Sequence, residues 1–304
     1  MTRASGKGVR DMKKKSLRDN GRGFRFFNGV LMVLICAIML YPFLHVLFAS
    51  VSNPNALIRH RGLLLHPKGF NLGAYKLVLR NPNILTGYMN TITYVVLGTA
   101  INITMTVVSA FVLSRKNFLL RRPLMFLAII TMYFNGGMIP LYLQVLKLKL
   151  INTIWAIVLP TAMSTYNLII MRTAFENIPD SLEESAMLDG ANELVTLVKI
   201  IVPLAMPTIA VILLFYSVGI WNSWFNALIY LQDRTLYPLQ LILREILIAN
   251  DTSSMTAGTA GDVVPLAESV KYATIVVATL PVLVIYPFLQ KYFVKGVLIG
   301  AVKG

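Results

Sequence analysis

The sequence is short of charge, short of acid and nearly without cysteine. Charged residues make up 13% of its 304 positions, about half the quarter usual in a soluble domain, which argues against a water-soluble globule. Cys36 is the only cysteine, so an intrachain disulfide and a cysteine metal cluster are both excluded. Three histidines, His45, His60 and His66, have no spacing that fits metal ligation or a proton relay. No stretch reads G-x-x-x-x-G-K-[S/T], so the usual Gly-rich seat for ATP is missing. No Ser/His/Asp or Cys/His set points to a nucleophile. No enzyme activity and no cofactor are expected of the chain itself.

What fills the chain instead is apolar surface. Hydrophobic residues are 56% of the total, and mean hydropathy is +0.68. Six long apolar runs match a bilayer span, at 30–50, 84–113, 123–146, 150–171, 200–231 and 272–290. Backbone facing lipid must satisfy its own hydrogen bonds, so each run is expected to be helical. All far exceed the roughly ten residues of a membrane barrel strand. The first run is too long for a signal-peptide core and reads as an uncleaved anchor. The expected fold is all-α and polytopic, with six transmembrane helices within 29–292. Pro42, Pro140, Pro160, Pro207, Pro281 and Pro287 interrupt the runs and predict kinks.

The formal net charge of +15 would by itself suggest nucleic acid or an anionic surface. However, Lys and Arg sit mainly at the edges of the apolar runs, as topology determinants do. Membrane lipid is therefore the expected partner, and nucleic acid is not. Residues 1–28, with Arg3, Lys7, Arg10, Lys13, Lys14, Lys15, Arg18, Arg22 and Arg25, read as a flexible cytoplasmic tail. Arg115, Lys116, Arg121 and Arg122 put the turn between the second and third spans on the same side. The connection 51–83 falls outside, despite its own five basic residues. Six spans return the C-terminal tail, 293–304, to the inside. The loop 173–203 falls inside by the same parity.

That loop is unusual for this chain. Glu176, Asp180, Glu183, Glu184, Asp189 and Glu193 fall close together around "SLEESAMLDGANELVTLVKIIVP". Pro179 stops one helix, and Ser181-x-x-Glu184 has the spacing of a capping box. Glu183 and Glu184 in a first turn suit the helix dipole. Gly190 after Asp189 predicts a C-terminal cap at positive φ. A second helix is expected from about Asn192, rising into the fifth span. The anionic cytoplasmic leaflet repels such a segment, so its expected partner is a protein in the cytosol.

The register of this segment resembles the EAA loop of ABC importer permeases, the inner-membrane components with a MetI-like fold. That pattern reads E-A-A, three residues, G, nine residues, I-x-L-P. Glu184, Ala186, Gly190, Ile200 and Pro203 match it, while Ser185 and Val202 replace the second Ala and the Leu. "YPFLHVLFASVSNP", "FNGGMIPLYL", "WNSWFNALIYL" and "KYFVKGVLIGAVKG" are similar to the carbohydrate-importing branch. The resemblance implies a permease subunit in a bacterial inner membrane, importing a sugar or oligosaccharide. It implies four partners: a second and different permease, two ATPase subunits that bind ATP and Mg, and an extracytoplasmic solute-binding protein. Glu184, Ser185, Ala186, Asp189, Gly190, Ile200 and Pro203 would couple the ATPase to the spans. The C-terminal tail would reach the interface of the two ATPase subunits.

Polar groups within spans tend to face protein or a water-filled cavity. Trp221, Asn222, Trp224 and Asn226 form the densest cluster, and at helical spacing Asn222 and Asn226 share a face. Amides and indole faces suit sugar hydroxyls and C–H faces; equally, the Asn residues would serve as interhelical hydrogen bonds. Asn135 beside Gly136-Gly137 is a similar candidate, with a close helix crossing as its other reading. Asn90 and Asn102 are lesser ones. An ion-coupled secondary transporter would need ionisable residues inside the spans, and these are nearly absent. A membrane enzyme would need His, Asp or Glu at a span end, whereas the acids cluster in the loop. An ABC permease for a non-sugar solute stays open.

Overall fold

The computed structural model describes residues 6–248, 267–284 and 287, with side chains from residue 23 onward. The expected C-terminal tail 293–304 and the end of the last run lie outside the described residues. Among those described there is helix and no strand, as long apolar runs in lipid require.

The chain divides into two units. The first comprises 1–74 and 260–273. Helix α1 (Gly6–Ser50) occupies most of it. Its basic first part, expected to be a flexible tail, continues the helix as far back as Gly6. Lys, Arg and Leu are good helix formers and no Pro intervenes before Pro42, so nothing there interrupts the backbone ladder. From residue 23 its apolar side chains are mostly exposed, as suits a lipid-facing anchor. The connection after α1 folds back on its end. Tyr41 Oη accepts from Leu64 N (3.1 Å), and Ser52 Oγ accepts from Lys68 N (3.0 Å). Asn53 caps α2 (Pro54–Arg59), its side chain accepting from Asn55 N and Ala56 N.

The second unit is 75–259 with 274–304. Its axis is α4 (Pro82–Ser114), which follows the short α3 (Gly73–Arg80). Against α4 pack α5 (Arg121–Tyr133), α7 (Trp155–Val158), α8 (Thr165–Glu176), α12 (Met206–Trp221) and α14 (Leu239–Ile248). Phe111, Leu168, Met171, Phe175, Ile201 and Ile212 lie in the principal core between them.

Three described helices are long and apolar enough to cross a membrane: Gly23–Ser50 of α1, α4, and α15 (Ala267–Val284). The third and fifth expected spans are broken. Helix α5 meets α6 (Met138–Lys147) at 115°. Asn135 Oδ1 accepts from Gly137 N (2.8 Å), and Gly137 takes φ +88°, so the turn is built by the residues that sequence marked as polar. The fifth run starts as α10 (Glu193–Thr196), a wider π turn (Leu197–Ile201) and α11 (Val202–Leu204), then bends 84° at Ala205 into α12. Pro207 lacks the N–H that would bridge the break to the carbonyl of Pro203. The fourth run is divided at Pro160, between α7, a 3-10 turn (Leu159–Thr161) and α8.

Candidate functional site

The acidic loop forms α9 (Asp180–Leu188). The expected capping box is absent. Pro179, at φ −60° and ψ 130°, makes the turn into the helix, so Ser181 already lies within the first turn. Its hydroxyl cannot serve the N-terminal amides from there, and Asp180 and Glu183 supply the negative charge that the dipole favours.

The C-terminus behaves as the sequence predicts. Gly190 takes φ +84°, its N–H donates to Met187 O (3.0 Å), and Ala191 N donates to Ala186 O (2.9 Å). These two bonds satisfy the last carbonyls in the Schellman pattern. Asn192 then caps α10, its Oδ1 accepting from Val195 N (2.9 Å).

What sequence did not reveal is how α9 is held. The basic turn after α4 clamps it. Arg115 pairs with Glu183, and both are largely buried. The same guanidinium donates to Phe111 O and Ser114 Oγ and lies 4.4 Å over the Phe111 ring. Lys116 pairs with Asp180 at 2.5 Å. Arg121 and Arg172 both reach Glu176 Oε1 at 2.7 Å, and Arg172 Nε also donates to Leu113 O. Thus Glu176 and Asp180, for which sequence offered no role, are ion-pair partners. The hydrogen bond and charge of Lys116 hold the Asp180 carboxyl below its ordinary value. Burial draws Arg115 down, while Glu193 and Asp180 oppose it.

The other face of α9 is left open. Glu184 and Ser185 are exposed, and Leu188 is 89% exposed. Leu182, Met187, Leu194 and Val198 are exposed nearby. Glu184 rims a cleft of about 460 Å³ shared with Lys116, Arg121, Met187 and Glu193. Ala186 is buried beneath the helix, Asp189 and Gly190 are exposed at its end, Ile200 is half-buried in the π turn, and Pro203 is exposed. All seven expected coupling residues therefore fall on one continuous segment, beside the end of α4 that carries Ser114.

The expected solute residues are not brought together. Helix α12 ends at Trp221, and Asn222 is its C-cap, its own Nδ2 donating to Val218 O (3.0 Å). A new helix, α13 (Phe225–Tyr230), follows. Asn222 and Asn226 consequently share no helical face. The Asn222 amide competes for the helix's backbone acceptors, a habit of Asn that ends helices. Trp221 is buried edge-on to Tyr88 at 6.2 Å, Trp224 and Asn226 are half-buried, and Asn135 is exposed in its turn.

A polar cavity of about 500 Å³ lies elsewhere, lined by Asn102, Thr161, Ser164, Asn167, Tyr216 and Ser223 among apolar groups. Tyr216 Oη bonds Thr106 Oγ1 (2.7 Å) and accepts from Ser164 N (3.1 Å). Asn102 is 1% exposed, and its Oδ1 has no partner. These residues come from α4, the Pro160 break, α8 with its cap, and α12 with the turn after it. Sequence spacing cannot show such a convergence; it shows Asn102 as a polar group in an apolar run and Ser223 within the Trp221–Asn226 cluster.

Residues 84–299 match the model of the family described as "Binding-protein-dependent transport system inner membrane component". The chain is 42% identical over 280 residues to the polygalacturonan/rhamnogalacturonan transport system permease protein YtcP of Bacillus subtilis, covering 90% of this chain and 95% of that one. It is 42% identical over 284 residues to Protein LplC of the same organism, covering 93% and 96%. Among solved structures, it resembles a chain of a bacterial ABC transporter involved in the import of the acidic polysaccharide alginate. The TM-score is 0.86 at 35% identity, covering 90% of this chain and 98% of that one.

Proposed function

We infer the function from one premise: the chain belongs to the binding-protein-dependent transport system inner-membrane components, matched over 84–299. It is a transmembrane permease subunit of an ATP-driven importer. As such it works with further permease, ATPase and solute-binding subunits. We propose that the second permease is a different chain, that two ATPase subunits supply ATP and Mg, and that an extracytoplasmic protein delivers the solute. The basic turn after α4 and loop 173–203 would face the cytoplasm, by the positive-inside rule.

The observation that carries the coupling proposal is the two-faced α9. Its inner face is pinned by Arg115–Glu183 and Lys116–Asp180. Its outer face offers Glu184 and an unburied Leu188. An apolar patch with a charged rim favours a protein partner over water. A push on α9 would reach the spans by two routes: ion pairs tie it to the α4–α5 turn, while Gly190, the π turn and the Ala205 bend form a jointed link into α12. Closure of the ATPase pair would thereby rearrange both routes, opening the solute path outward.

Asn102, Asn167, Tyr216 and Ser223 would line that path, with the unpartnered Asn102 Oδ1 accepting from a solute hydroxyl. The names of the relatives support a sugar or oligosaccharide as solute, and those of YtcP and the alginate importer favour one bearing carboxylates. The proposal is tested by purifying the assembled transporter. ATPase should co-purify with the wild type and not with Glu184→Arg or Gly190→Pro, and ATP-driven uptake should fall in step. Unaltered assembly and uptake in both variants would remove the coupling role.

A further inference from the structure

Resting on the reading of this chain as an importer of acidic carbohydrate, we propose that Arg244, stacked on Trp224, recognises the carboxylate of a uronic-acid unit on the outer side of the solute path. The Arg244 guanidinium carbon lies 4.8 Å from the Trp224 ring centroid. Its Nε is buried and makes no hydrogen bond. Three other arginines that are half-buried, Arg115, Arg121 and Arg172, each pair with a carboxylate. Arg244 has no such partner among the described residues. The adjacent acid, Glu245, is already held by Arg234 at 2.7 Å.

A half-buried guanidinium without an acid beside it is free to pair with an incoming anion. Its planar fork matches a carboxylate with two parallel hydrogen bonds. Contact with the indole face restrains the guanidinium and lowers the ordering cost of binding. Phe225, edge-on to Trp224 at 5.5 Å, and the cluster of Tyr94, Ala227 and Leu241 fix the indole in turn.

The position suits an arriving solute. Helix α14, which carries Arg244, is anchored to the first part of α4 through Leu239 N and Thr91 Oγ1 (2.9 Å). Nearby, Asn90 donates to Thr235 O and Tyr237 O, and Tyr94 donates to Leu236 O. This is the end of α4 opposite the α9 clamp, hence the outer end if α9 faces the ATPase. Trp224 directly follows Ser223, which lines the polar cavity.

The test uses the reconstituted transporter with its binding protein, trigalacturonate, and fully methyl-esterified trigalacturonate, whose carboxylates are masked. The readout is the ratio of ATP hydrolysis stimulated by acid and by ester. Selection by the binding protein is common to all variants and cancels between them. Arg244→Gln should lower the ratio about ten-fold, the scale of one lost charge-assisted hydrogen-bonded pair, with ATP hydrolysis in the absence of solute unchanged. An unchanged ratio overturns the inference and makes the stack purely structural. If Arg244→Gln fails to assemble, Arg244→Lys keeps the charge and loses the fork; a lowered ratio then supports the inference and an unchanged one overturns it. A wild type stimulated only by the ester overturns the inference and leaves the importer reading intact. A wild type that answers to no carbohydrate overturns both.

Discussion

Arg115, at the end of α4, pairs with Glu183 in the first turn of α9, and this contact joins the basic turn after α4 to the acidic loop. The guanidinium is also bound to Phe111 O and Ser114 Oγ, so it is a fixed post and not a swinging side chain. Removing one partner of a largely buried pair leaves the other charge uncompensated. Glu183→Gln or Arg115→Ala should therefore destabilise the loop by about 1–3 kcal/mol. Uptake should fall at least ten-fold, while the ATPase still hydrolyses ATP. The exchange Arg115→Glu with Glu183→Arg should recover part of the uptake, measured in proteoliposomes.

The ion pairs should not be equal in weight. Lys116 and Asp180 are 74% and 63% exposed at the side chain, whereas Glu176 is 29% exposed and shared by two arginines. Exposed pairs are screened by water and contribute little to stability. Glu176→Gln should lower the melting temperature of the purified transporter measurably, and Lys116→Ala should barely change it.

The Lys116–Asp180 pair has a defined pH signature. The folded carboxyl lies below its ordinary value of 3.8, chiefly through the hydrogen bond and charge of Lys116. A depressed carboxyl contributes stability that is complete above its ordinary value and is lost as pH falls through the lowered one. The difference in melting temperature between wild type and Asp180→Asn should be small, constant from about pH 7 to 5, and shrink only below about pH 4. A difference that vanishes near pH 6 would show that another group controls the contact.

Much of α9 was legible because its signals are local. Gly190 and Asn192 act within a few residues of themselves, so their capping roles follow from spacing. Ser181 misled because a Pro just before it can start the helix on its own, leaving the hydroxyl inside the first turn. The Arg121–Glu176 pair joins residues 55 positions apart, and no periodicity encodes it. Pro160 and Pro207 lie at interruptions, whereas Pro42 lies inside the unbroken α1 and Pro140 inside α6, and no proline marks the sharp turn at Asn135–Gly137. Asn222 and Asn226 have helical spacing, which gives them one face in an unbroken helix; the side chain of Asn222 ends that helix. The polar cavity draws on four separate segments, so only the packed structure displays it.

The cavity yields a prediction with opposite effects on stability and transport. Asn102 Oδ1 is buried without a donor. Replacing such a group by an apolar one of similar size removes an unmet desolvation cost, so Asn102→Leu should leave the melting temperature unchanged or higher. Uptake should nevertheless fall about ten-fold if a solute hydroxyl donates to that oxygen, the scale of one hydrogen bond to a buried group. Parallel measurement of melting and uptake on one preparation checks this. Loss of both together would mean that Asn102 is structural.

Gly190 has no atom within 4 Å of where a Cβ would sit, so a substitution there meets backbone strain and no clash. With φ at +84°, Gly190→Asn should be tolerated better than Gly190→Val, since Asn visits that region more readily. The yield of co-purified ATPase should rank Gly, then Asn, then Val.

The central claim is that the outer face of α9 seats on the ATPase. Leu188 is its most exposed large side chain, and Cys36 is the one native cysteine. A Leu188→Cys variant in a Cys36→Ser background can be treated with a short maleimide–succinimidyl ester cross-linker, which joins the thiol to a nearby lysine amine, in the assembled transporter. The account predicts a cross-linked band of permease plus ATPase subunit, lost when Glu184→Arg is added. Leu188→Cys that reacts freely with a soluble maleimide in the presence of ATPase, and gives no such band, would contradict it.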